Sequence, residues 1–380
     1  MPRPALTPPD PPPRADAELR VLFVSRKHPP AVGGMEGLSY HLVREVGRAP
    51  GVRARAVVWG HTQYLLPAFA LRALLSSLRT CWRGTDVVHI GDPVLSWLGV
   101  LLKRLFRVPI VVTVHGLDLT FPMPAYQRLV PAWLRQYDEV ISISRYARAL
   151  SLDRGVPADR CITIPPGTDI PEQRRSRHQA REALAALVGR PLAEAKVLLT
   201  VGRLVPRKGV GFFVEQVLPG LVTADPSLLY LVVGAGPERE RLQHAVEARG
   251  LRRHVWLAGR LPSEQLADAY FASDLFLAPN VPTPHDAEGF GLVVLEAAAH
   301  GCPALVADLE GLRDTVPAGS GAWFLEPAAA QEWTGKLREL LADPVKLREA
   351  GEMARSHVAA HCTWPTMGQR YLAEFRRLAG

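Results

Sequence analysis

A chain of 380 residues, with 48% hydrophobic and 22% charged residues, has the length for two domains with separate cores. That balance excludes a disordered or fibrous protein, and no segment reaches the roughly 18 uninterrupted apolar residues of a membrane span. The net charge of +8 is lopsided: residues 1–178 carry 24 Lys+Arg against 14 Asp+Glu, and the remainder carries 21 against 23. A basic first half fits an acidic partner such as an anionic membrane or a phosphorylated lipid, or reflects the arginine usage of a GC-rich genome. Its cations are dispersed and not interleaved with aromatics, which speaks against nucleic acid.

In chain order, residues 1–16 hold seven of the 34 prolines within the first 13 positions and read as a flexible leader without a signal-peptide core. Short β-branched runs at 20–25, 87–90, 110–114, 139–142 and 161–164 read as strands buried on both faces, as in a parallel sheet. Between them, 65–78 (broken by Arg72) and 94–106 (broken by Lys103 and Arg104) read as amphipathic helices. After a polar stretch at 171–181 the pattern restarts, with strands at 196–201, 229–233, 255–257, 275–278 and 304–306. This alternation predicts an α/β fold of two doubly wound, Rossmann-like domains, 17–175 and 176–364, facing across a cleft. A last helix opens at Pro365, a good first helical residue, and 365–380 is expected to cross back to the first domain. Four scattered cysteines (Cys81, Cys161, Cys302, Cys362) show no paired metal spacing and predict reduced thiols in the cytoplasm.

Five places could carry chemistry. After the first strand, Gly33-Gly34 opens a helix marked by Met35, Leu38, Leu42 and Val46, so free amides there can meet an anion or sugar. His115 ends the third predicted strand and precedes Gly116, which puts an imidazole at the cleft mouth, with Asp118 orienting it or capping the next helix. The run Gly202-Arg203-Leu-Val-Pro-Arg-Lys208-Gly209 places two cations, Arg203 and Lys208, after a strand, an arrangement suited to a pyrophosphate. Gly234-Ala-Gly236-Pro237 begins like a dinucleotide fingerprint, but Arg239 stands where the third glycine belongs, so it reads as a tight turn near a nucleotide. Glu288-Gly-Phe290-Gly291-Leu292 leads into a helix holding Glu296, whose carboxylate suits the paired hydroxyls of a ribose.

Together these residues resemble the retaining glycosyltransferases of family 4, which have the GT-B fold. The resemblance runs from about Arg20 to the C-terminus. It rests on residues 28–36, Val114-His115-Gly116, Ile164-Pro-Pro-Gly167-Thr-Asp169, Gly202-Arg203 with Lys208-Gly209, 233–237, and the eight-residue spacing of Glu288 and Glu296. It implies transfer of a sugar from a nucleoside diphosphate sugar, UDP-linked before GDP-linked, to a glycan, lipid-linked or small-molecule acceptor. By that resemblance Arg203 and Lys208 hold the diphosphate and Glu296 takes the ribose. Glu288 and the amides of Phe290 and Gly291, with Leu292 beside them, contact the moving sugar. Gly33 and Gly34 border phosphate and acceptor, Gly234 lies near the donor, and His115 sits beside the reacting sugar. No Asp-x-Asp pair is placed to bring a divalent ion, so no metal or other cofactor is expected. The segment 280–286 is longer than the family's short loop, which loosens the inference of donor sugar. A GT-B epimerase or hydrolase, or a non-catalytic sugar-nucleotide binder, is the alternative; an NAD-dependent dehydrogenase is disfavoured by Arg239. The enzyme is expected in the cytoplasm, peripheral to the membrane's inner face.

Overall fold

The computed structural model describes residues 18–60, 66–172, 175–284 and 286–380. The leader, 1–16, and positions 173–174 of the polar stretch lie outside the described residues. Strands β1 (Leu19–Ser25), β2 (Val52–Val58), β3 (Val87–Ile90), β4 (Ile110–Val114), β5 (Glu139–Ser142) and β6 (Cys161–Thr163) form one parallel sheet in the order β2-β1-β3-β4-β5-β6. A second parallel sheet holds β7 (Val197–Val201), β8 (Leu229–Val233), β9 (Val255–Gly259), β10 (Leu275–Ala278), β11 (Ala304–Ala307) and β12 (Ala322–Leu325), ordered β12-β11-β10-β7-β8-β9. Every residue of β3, β4, β5, β7, β8, β10 and β11 is buried, as helices on both faces require.

The first sheet is crossed by α1 (Gly34–Gly47), α2 (Leu66–Trp82), α3 (Ser96–Phe106), α4 (Pro124–Leu134) and α5 (Arg145–Asp153). The second carries α6 (Arg177–Val188), α7 (Val210–Phe212) continuing through a π-helical turn into α8 (Leu218–Ala224), then α9 (Arg239–Ala248), α10 (Ser263–Ala272), α11 (Leu292–Ala299), α12 (Ala330–Leu341) and α13 (Pro344–His361). The chain then returns. Thr168 donates its amide to Cys362 O at 2.8 Å, and Gly167 lies so close to Thr363 that a Cβ would stand 2.3 Å from its carbonyl carbon. The final helix, α14 (Trp364–Ala379), packs on α1 and seats Tyr371 and Phe375 in the first domain's core, where Tyr371 meets Thr113 Oγ1 at 3.0 Å.

In each sheet the strand order reverses once, between β1 and β3 and between β7 and β10. In open α/β sheets ligands bind at the carboxyl ends of the strands beside such a reversal. The two reversals therefore direct attention to the loops after Ser25 and Ile90 on one side, and after Val201 and Ala278 on the other.

Candidate active site

The second reversal brings together a buried cluster of paired charges. After β7 the chain turns through Pro206–Lys208 to Gly209, which adopts a left-handed φ of +65°. Gly209 lies against the loop after β10 so closely that a Cβ would sit 1.7 Å from Pro279 O, and Val281 donates its amide to Arg207 O at 3.0 Å. This backbone docking sets Arg207 and Lys208 beside Asn280 and Glu288. Both cations and the Asn280 amide, at 3.1 Å, donate to one oxygen, Oε2 of Glu288. Glu288 Oε1 has no protein donor among the described residues. Burial pushes the Glu288 carboxyl up, but Lys208 and Arg207 outweigh it and hold it at about 2. Removing one member of such a buried pair typically costs about 3–5 kcal/mol.

Lys208 lies across Gly202, 3.4 Å from where its Cβ would be, and its charge also acts on Glu296 in the second turn of α11. Glu296 accepts from Tyr270 Oη at 2.9 Å, and burial raises its carboxyl. Tyr270 in turn stacks on His300 at 4.8 Å. Lys208 thus stands between the two glutamates of the sequence motif. Arg203, by contrast, is exposed and has no ion pair among the described residues, which leaves its guanidinium available to an anion. Gly234 serves the turn itself: a Cβ there would stand 1.8 Å from Gly202 O, so only glycine lets the loops after β7 and β8 touch.

Phe290 is buried, and Gly291, at φ +93°, caps the start of α11. Leu292 reaches across the cleft: its Cδ1 is 3.0 Å from the Cβ position of Gly34. The N-termini of α1 and α11 therefore face each other. At the α1 end Glu36 Oε2 is 2.3 Å from the Cβ position of Gly33 and Glu36 Oε1 pairs with Lys27 at 3.3 Å. Gly33 and Gly34 are exposed at the cleft, and neither helix start has a side-chain cap among the described residues.

His115 follows β4 and is buried. Its Nε2 faces Gly91 O at 3.0 Å, so that nitrogen donates. Asp118 accepts from the His115 backbone amide at 3.0 and 3.1 Å, so it orients the peptide and not the ring. Across the cleft, Gly289 packs on the His115 carbonyl, where a Cβ would approach to 2.1 Å. Arg145 at the start of α5 binds Asp314 of the second domain and closes the same seam.

Three participants were not singled out from the sequence. Arg207 stands beside Lys208 in a run of two cations, a signal that was present. Tyr270 and Glu310 gave none. Glu310 adopts φ +49° and accepts the amide of Glu288, bracing the loop from behind.

Comparison with known proteins bears on this geometry. The sequence profile described as glycosyltransferase family 4 matches residues 13–172, and that of glycosyl transferases group 1 matches 190–357. The D-inositol 3-phosphate glycosyltransferase of Nocardia farcinica is 30% identical, over 86% of this chain and 76% of its own. The chain belongs to the group 1, family 4 glycosyltransferases. It is a transferase that uses nucleotide-sugar donors. A GDP-mannose-dependent alpha-(1-6)-phosphatidylinositol monomannoside mannosyltransferase of Mycolicibacterium smegmatis is 27% identical over 93% of this chain and 97% of its own. Among solved structures, the sucrose-phosphate synthase of Thermosynechococcus elongatus superposes with a TM-score of 0.76 at 23% identity, covering 95% of this chain and 99% of its own. The Anabaena HepE protein in complex with UDP gives 0.75 at 17%, covering 94% and 100%. These likenesses show the GT-B fold.

Proposed function

We propose that this glycosyltransferase moves a hexose from a nucleoside diphosphate sugar to a hydroxyl acceptor with retention at the anomeric carbon. The observation that carries the reading is Lys208, paired with Glu288 and acting on Glu296 at the sheet reversal, with Arg203 free of ion pairs and the start of α11 without a side-chain cap among the described residues. As the donor bond breaks, negative charge grows on the leaving diphosphate. Arg203, Lys208 and the start of α11 form a fixed set of positive groups for that charge, so a divalent ion is not required. Glu296 takes the ribose hydroxyls, Glu288 Oε1 contacts the moving sugar, and His115 lines the acceptor side.

The acceptor reading draws on the two relatives named above, whose names contain an inositol phosphate and a phosphatidylinositol monomannoside. A phosphate-bearing polyol, free or lipid-linked, suits the basic first domain. On α2 the outward stripe Leu71, Leu75 and Trp82 is 59%, 59% and 80% exposed and is interleaved with Arg72 and Arg79. That pattern supports contact with an anionic membrane. No helix among the described residues is long and apolar enough to cross one.

A panel of UDP- and GDP-linked sugars tests the donor, UDP-hexoses first and GDP-mannose second. Proton NMR of the sugar first released to water, or of the glycoside formed, reads the stereochemistry. Retention gives the donor's own anomer; the opposite anomer overturns the mechanism, and nucleotide release that no acceptor hydroxyl ever stimulates favours a hydrolase.

A further inference from the structure

Two cations share one carboxylate oxygen in this site, and they are held in different ways. Lys208 is a point charge on a flexible stem, and among the described residues its one ion pair is with Glu288. Arg207 is a planar fork with two anchors: Nη1 on Glu288 and Nε on Asp286 at 2.9 Å. Its side chain is largely buried, and its backbone is tied to Val281. A diphosphate arriving at the cleft carries more negative charge than one glutamate, so it competes for whichever cation can turn. Lys208 can turn, whereas Arg207 would have to leave Asp286 and Glu288 together.

We infer that Arg207 is a positioning residue that holds Glu288 in place, with Oε1 toward the transferred sugar, once the donor diphosphate draws Lys208 away. The cations then divide their work. Lys208 passes from Glu288 to phosphate, and Arg207 stays with Asn280 on Oε2. Asp286 locks the arginine fork from the far side, and Glu310 fixes the Glu288 backbone. The segment 280–286 thereby acquires a use, since both of its ends, Asn280 and Asp286, close on this one ion pair.

This rests on the donor site proposed above, and a double-mutant cycle on the full-length enzyme separates the two. Arg207→Gln, Arg207→Lys, Glu288→Gln and the Arg207→Gln/Glu288→Gln pair are compared for kcat, donor KM and calorimetric binding of UDP and GDP, with melting curves as control. Arg207→Gln should lower kcat about 100-fold, the effect of roughly 1 Å of misplacement, with nucleoside diphosphate affinity nearly unchanged. In the Glu288→Gln background the same change should cost little, because the group it positions is gone. Arg207→Lys should recover part of kcat by restoring the charge without the fork. Equal kcat losses in both backgrounds, or a fall in UDP and GDP affinity matching the fall in kcat, would overturn the inference while leaving the donor site standing. A wild-type enzyme that binds neither nucleotide would overturn both. If Arg207→Gln melts early, the cycle is read from Arg207→Lys and its pair with Glu288→Gln, where the same non-additivity is required.

Discussion

Replacing Gly289 by alanine drives a methyl group into the seam between the two domains. Gly289 is outside the left-handed region, so alanine brings no backbone strain, and the effect comes from contact alone. The new Cβ would stand 2.1 Å from His115 O, where ordinary contact begins at 3.4 Å. The loop cannot back away, because Gly311 already sits so close that its own Cβ would fall 2.0 Å from Gly289 O. The two walls must therefore part by about 1.3 Å, the difference between 3.4 and 2.1 Å. A displacement of about 1 Å between reacting groups costs on the order of 100-fold in rate, or about 2.7 kcal/mol. In the proposed donor site the nucleotide is held mainly by the second domain's wall, so its affinity should change by less than about threefold, roughly 0.6 kcal/mol. Steady-state release of nucleoside diphosphate in the presence of acceptor gives kcat, and calorimetry gives the affinity. Turnover within about threefold of wild type would show that the closed seam at His115 and Gly289 is not the reactive geometry.

The two glutamates should separate in kinetics. Glu296→Gln removes a contact present before and during reaction and should mainly raise the donor KM, whereas Glu288→Gln should mainly lower kcat; early melting of both without such a split would show a purely structural role. Glu139 gives a pH signature: burial outweighs Arg377 and lifts its carboxyl from the ordinary 4.5 to about 7. Between those values the folded chain holds a proton that the unfolded chain has released, so stability should fall as pH rises through that window, and Glu139→Gln should flatten the melting temperature there. An unchanged slope in the variant would refute this. Sedimentation with anionic vesicles should fall as salt rises and should weaken when Leu75 and Trp82 are replaced by serine; equal binding to neutral vesicles would contradict the membrane contact.

Most central strands could be read from the sequence because burial on both faces leaves an unbroken apolar run: β3, β4, β5, β8 and β10 match their predicted ends. The strands that escaped, β2 and β12, are both sheet edges. In β2 the alternation Val-Arg-Ala-Arg-Ala leaves Arg53 and Arg55 exposed, so its apolar signal is halved. The site was legible as far as motifs carry: Lys208, Glu288 and Glu296 do gather at one place. Two roles were not. Asp118 binds the peptide of His115 and not its ring, a choice made by the Leu117–Leu119 turn. Glu36 stands over Gly33 at the start of α1 and pairs with Lys27, a contact that no spacing in the sequence announces.

In the proposed mechanism the wall built by Gly202–Gly209 and the start of α11 receives the donor's diphosphate. Calorimetric titration of the wild-type chain and of the Arg203→Ala/Lys208→Ala variant with UDP and GDP tests it most directly. One of the two nucleotides should bind the wild type one to one. The variant should lose about 2–4 kcal/mol of that binding, in line with removal of charged donors from a fixed anion site, while without nucleotide it stays folded, with a melting temperature lowered by loss of the buried Lys208–Glu288 pair. Equal affinity in both proteins, or no binding of either nucleotide to the wild type, would contradict the account.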